Sequence, residues 1–147
     1  MSEMEFESTH DRGGGHHRRT TVRTTGILQN NLNVALTAHI DLVNLNDEPV
    51  EVRVQVLNWG DAVTQTNPVG TLLDVTQTLA ANTRTALNAT VVATNHYEVR
   101  LIVGRNGNAE NVLLTTYGRT SIGGGQVVGL SVLPSQLLTV ELDSHCL

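Results

Sequence analysis

The chain has 147 residues, enough for one domain with one core. Hydrophobic residues make up 39%, too many for a wholly disordered protein, while charged residues are only 16% against roughly 25% in typical soluble domains. A net charge of −5 and only four aromatics (Phe6, Trp59, Tyr97, Tyr117) argue against nucleic acid as a partner, which needs a basic field and stacking rings.

All nine cationic residues are arginines, so Schiff-base, Walker-lysine and Lys–Asn isopeptide chemistry are excluded. The first residues hold no apolar run, so the sequence predicts no secretory signal peptide. No stretch approaches the ~20 apolar residues of a membrane helix. The expectation is a protein made in the cytoplasm that reaches any outer location by another route.

In chain order, residues 1–19 come first and differ from the rest. They hold four acids, three arginines, three histidines and Gly13-Gly14-Gly15, without apolar periodicity. This predicts a flexible, disordered N-terminal arm. The following segment, Thr20-Thr21-Val22-Arg23-Thr24-Thr25-Gly26-Ile27-Leu28, is β-branched and can pair as a strand. It is read as an assembly arm, able to join the sheet of its own chain or of a neighbour.

From residue 32 the hydrophobic period is two. Val34, Leu36, Ala38, Ile40 and Leu42 alternate with Ala35, Thr37, His39, Asp41 and Val43, which predicts a half-buried strand. After the turn formers Asn44–Pro49, a second alternation runs through Val50, Val52, Val54 and Val56, and the pair reads as a hairpin. Residues 58–70 read as a long loop. Strands follow at 71–79 and 83–92, the second with Thr85, Leu87, Ala89 and Val91 inward. The segment 96–103 places Tyr97, Val99, Leu101 and Val103 on one face. An Asn106-Gly107 turn predicts that 111–119 returns as its hairpin partner. Two short strands at 126–133 and 136–142 close the domain.

This makes roughly eight or nine strands with no helical pattern, the mark of an all-β antiparallel β-sandwich over residues 20–147. Jelly-roll and Ig-like orders both remain open at this point.

Chemistry is sparse. His10, His16 and His17 lie in the arm, and His39 and His96 read as solvent or interface residues, so no metal site is expected. Gly104-Arg105-Asn106-Gly107 and Gly123-Gly124-Gly125-Gln126 open no helix and read as turns rather than phosphate loops. Asn88-Ala89-Thr90 matches a glycosylation sequon, and without a signal peptide it reads as chance. Glu51 with Arg53, and Glu98 with Arg100, read as solvated ion pairs on strand faces. Cys146 is the single cysteine, either a terminal thiol or an intermolecular crosslink. The expectation is no catalytic residue, no cofactor and no enzyme.

The segments Val50–Trp59, His96–Val103 and Val112–Arg119, with the closing stretch 127–142, resemble small β-sandwich proteins of spore-forming Bacillales. The resemblance covers about residues 20–142. It implies a spore-surface protein, such as an exosporium component or an endospore-appendage subunit. In such a subunit a jelly-roll domain inserts its N-terminal arm into a neighbour, and the partners would be further copies in a homo-oligomer or filament and other spore-surface proteins. One feature departs from that pattern: the arm has no cysteine, so the usual crosslinks are absent. Two other readings stand beside it. One is a carbohydrate- or polymer-binding module using Trp59 with a nearby tyrosine. The other is a phage virion or tail component.

Overall fold

The computed structural model describes residues 8–10, 18–30, 33–120 and 124–147, with the side chains of Ser8–His10 and Cys146 left aside. Its strands are β1 (Ser8–His10), β2 (Arg18–Thr24), β3 (Leu28–Gln29), β4 (Thr37–Asn44), β5 (Val50–Asn58), β6 (Gly70–Leu79), β7 (Thr83–Thr90), β8 (His96–Val103), β9 (Val112–Arg119) and β10 (Leu138–Asp143). Nine have three residues or more, and β3 has two.

Two antiparallel sheets pack face to face, which makes the chain an all-β sandwich. In the larger sheet β2, β8, β5 and β6 are successive neighbours, and β10 pairs with β2. Strands β1 and β3 add short pairings to β2 and β8. The smaller sheet has the order β7-β4-β9. The pairings β4·β7 and β5·β8 match strands B·E and C·F of an immunoglobulin-type sandwich. Strand β9 departs from that order. It lies beside β4, whereas its counterpart there lies beside F.

The core follows from the period of two. Val50, Val52, Val54 and Val56 of β5 and Tyr97, Val99, Leu101 and Val103 of β8 face Ala38, Ile40 and Leu42 of β4 and Val112 and Leu114 of β9. The inward set predicted for 83–92 holds, with Ala89 and Val91 buried.

Four expectations are corrected. The turn at 44–49 does not make a hairpin: β4 and β5 lie in different sheets, so the chain crosses the sandwich there. The Asn106-Gly107 turn likewise hands the chain from β8 to β9 in the other sheet. The alternation before residue 37 is also out of phase. Val34 and Leu36 are 46% and 41% exposed, while Ala35 is fully buried. The reason is Asn30, whose side chain binds both the N–H and the C=O of Ala35 (2.9 Å each) and holds this stretch outside the strand. In addition, 126–133 is not a full strand. It meets β9 through isolated bridges at Thr116–Val132 and Arg119–Gln126. Close packing explains Gly118 of β9, where a Cβ would come within 2.8 Å of Leu130 Cδ1 and 3.0 Å of Ala35 Cβ.

Tyr97 is fully buried, and among the described residues its hydroxyl has no hydrogen-bond partner. Burial pushes its pKa up to about 12 from the ordinary 10.0. The raised value means that stability is complete below the unfolded-state value and is lost as pH rises from there through the folded-state value. Tyr97→Phe removes the orphaned hydroxyl, so a gain of about 1 kcal/mol is expected. Urea titration at neutral and alkaline pH checks both points, since the variant should also lose the alkaline drop in stability.

Candidate functional site

Strand β8 carries two kinds of face. Opposite the core lie His96, Glu98, Arg100 and Ile102, of which Glu98 and Arg100 were expected to form a solvated pair. Instead Glu98 is 6% exposed and Ile102 1%, and on the neighbouring β5 Gln55 and Leu57 are also buried. The reading of Glu98–Arg100 as a solvated pair is therefore corrected: it is an ordered, largely buried cluster.

Glu98 is the centre of that cluster. Oε1 accepts from the Trp59 indole N–H at 2.8 Å. Oε2 accepts from Arg100 Nε at 2.9 Å and from the Thr24 hydroxyl. Burial pushes the Glu98 carboxyl up, but the hydrogen bonds from Arg100, Thr24 and Trp59 outweigh it and hold the pKa below its ordinary value. The carboxylate thus stays charged and engaged on both oxygens, which suits it to positioning its neighbours rather than to moving a proton.

The loop after β5 sets Trp59. Its backbone N–H donates to the His96 carbonyl at 2.9 Å. Gly60 follows at φ +68°, where a side chain would be strained. The His96 ring lies 2.6 Å through Nδ1 from the Gly60 carbonyl, an atom that can only accept, so Nδ1 carries the proton. Around this cluster is a concavity of about 740 Å³, walled by Trp59, Ile27, Val63, Val140 and Leu142. Ile27 is 52% exposed and Val63 wholly so, which makes the rim apolar. An apolar wall over a few fixed polar groups is the general form of a small-ligand site.

The residues of the assembly arm fall in three places. Thr20, Thr21, Val22, Arg23 and Thr24 belong to β2, which has β10 on one edge and β1 and β8 on the other. Thr25, Gly26 and Ile27 form the break before β3, where Leu28 pairs with Tyr97. The segment thus sits in the sheet of its own chain. Arg23 extends from it to the backbone carbonyls of Ala109 and Val112. Of the predicted disordered arm, Ser8–His10 and Arg18–Arg19 are strand residues, and residues 1–7 and 11–17, with His16 and His17, lie outside the described ones. Gly123 also lies outside them. The backbone of Cys146 ends the 3-10 turn Ser144–Cys146.

His39 is 4% exposed, not a solvent residue. Its Nδ1 lies 2.9 Å from Asn88 Oδ1 and its ring 4.9 Å from that of Tyr117. Nε2 is 3.2 Å from Asp41 Oδ1, an electrostatic contact without hydrogen-bond alignment. Arg119 covers Tyr117, its guanidinium carbon 5.1 Å from the ring centroid. Among the described residues no three His, Cys, Asp or Glu side chains converge as metal ligands. No helix there is long and apolar enough to cross a membrane.

The constellation of Thr24, Trp59, Glu98 and Arg100 was not legible as a site. The available signal was phase: Leu57 and Ile102 share the supposed solvent faces of their strands with charged residues, and apolar residues there point to a covered surface.

These features define a β-sandwich with one walled concavity on the outer face of its larger sheet. No family model, curated protein or solved structure matches the chain.

Proposed function

We propose that this chain is a non-enzymatic structural subunit that self-assembles by strand addition, in a spore-surface layer or fibre. The observation that carries the assembly part is the pair of long terminal strands, β6 in one sheet and β7 in the other, both rich in threonine. An exposed edge offers unpaired N–H and C=O groups to another chain. The spore-surface setting is supported by the resemblance of 50–59, 96–103 and 112–119 to spore-surface sandwiches. The segment 20–28 enters as a strand that copies exchange, with β2 leaving its own sheet for the equivalent place in a neighbour. Cys146 is a candidate for an intermolecular crosslink within such an assembly.

Negative-stain microscopy of the purified chain tests this reading. Ordered fibres or sheets are the expected result, and monodisperse particles at every concentration overturn it. Removing residues 1–28 takes β2 from between β8 and β10, and the shortened chain should no longer assemble, whereas identical fibres from it overturn the exchange of 20–28.

A second reading, a carbohydrate- or polymer-binding module, is favoured by the concavity beside Trp59. Tyr97 cannot supply the second ring, since it is buried in the core. A glycan array comparing the wild type with Trp59→Ala separates the two readings, and gene neighbourhood separates a phage component from both.

A further inference from the structure

Among the described strands longer than three residues, β6, β10, β7 and β9 form the sheet edges, and they differ in chemistry. The free edge of β9 is partly covered by the bridges to Gln126 and Val132. Strand β10 is short, with six residues, and carries Glu141 and Asp143. A short edge offers few backbone groups to a second copy. The remaining edges, β6 and β7, have ten and eight residues. The only charged residue on β6 is Asp74, and it is already held by Arg53 through Nε at 2.8 Å and Nη2 at 2.7 Å. The only charged residue on β7 is Arg84, paired with Asp41.

Both edges lie on the same side of the sandwich, joined by the short connection at 80–82. The core is not sealed there. Leu73 and Val75 of β6 and Leu87 of β7 pack against the core cluster yet stay only partly buried. Long edges without a protecting charge, over half-covered core residues, are what sandwiches normally avoid.

Resting on the assembly reading above, we infer that this side is a self-association surface, in which β6 of one copy pairs antiparallel with β6 of a second across a twofold axis normal to the sheets. The occupant is a second copy because the edge complements itself. In a twofold pairing each residue meets its own equivalent or a near neighbour, so any uncompensated charge would oppose its like. Here the one charge is already neutralised within its own subunit. The same axis brings β7 to its equivalent, so both layers continue from copy to copy, and Leu73, Val75 and Leu87 close over their mates.

The test uses the full chain. The light-scattering mass of wild type should rise with concentration from that of the 15.8 kDa chain through a dimer to larger assemblies. Amide exchange over 70–79 should slow as concentration rises from micromolar to millimolar. The double variant Thr76→Lys/Thr78→Lys changes two exposed threonines of β6 and puts unpaired positive charge on the edge. It should melt like wild type and associate at least about tenfold more weakly. Should the variant fail to fold, the exchange measurement on wild type decides alone. Assembly that leaves 70–79 unprotected, or that the lysines do not weaken, overturns this surface and leaves assembly through another edge standing. A wild type that is monomeric throughout the range overturns both.

Discussion

Replacing Glu98 by alanine is expected to destabilise the fold by about 3–5 kcal/mol, the range for removing one partner of a buried ion pair. The variant strands the Arg100 guanidinium, whose side chain is 12% exposed, together with the Trp59 indole N–H and the Thr24 hydroxyl. Urea titration at neutral pH measures the loss, and a loss under about 1 kcal/mol would mean the cluster is solvated after all. Acid adds a second readout. The Glu98 pKa is depressed in the folded state, so its stabilisation is present above the unfolded-state value of about 4.3. It is lost as pH falls through the lower folded-state value. Glu98→Gln keeps the shape but not the charge, and its stability should vary less with pH across that window.

Asn44→Ala is the other substitution with a large expected effect, a loss of about 2–4 kcal/mol. Asn44 is fully buried at the end of β4. Its amide N–H₂ donates to the carbonyls of Glu48 (3.0 Å), Leu79 (3.2 Å) and Ala80 (3.2 Å). Its Oδ1 accepts from the backbone N–H and side-chain amide of Asn46, both at 2.9 Å. One side chain therefore fastens the crossing from β4 to β5 onto the crossing from β6 to β7. Asn44→Asp should cost more still, because a carboxylate would face three carbonyl oxygens. Denaturant midpoints check both, with an unchanged urea slope showing that the native state keeps its compactness.

The strands were legible in the sequence and their partners were not, for a physical reason. The valines at 50, 52, 54 and 56 declare a strand and its buried face by period alone. Turn residues such as Asn46–Pro49 or Asn106-Gly107 declare that the chain reverses, but not whether it reverses within a sheet or across to the other one. That choice is made by contacts distant in sequence, such as those of Asn44 with the carbonyls of Leu79 and Ala80. The candidate site was hidden for a related reason. Alternation assigns Glu98 and Arg100 to solvent, and only the joining of β2 to β8 brings Thr24 to Arg100, with Trp59 reaching the same carboxylate from the loop after β5. Strands were legible at 71–79 and 83–92, but nothing in the sequence made them the terminal edges of opposite sheets.

The pairing of β2 with β10 has a consequence for how the molecule comes to exist. Thr20 Oγ1 and Ser144 Oγ lie 2.8 Å apart although they stand 124 positions apart in the chain. During synthesis β2 emerges first of the two and must wait, one edge bare, until β10 has left the ribosome. The crossings from β4 to β5, from β6 to β7 and from β8 to β9 postpone most of the other pairings as well. Such non-local closure belongs to the slow end of folding, from milliseconds to seconds. Through that interval the nascent chain displays the same open β2 edge that an exchange between copies would use, so the moment of greatest risk for misassociation and the moment of easiest exchange coincide.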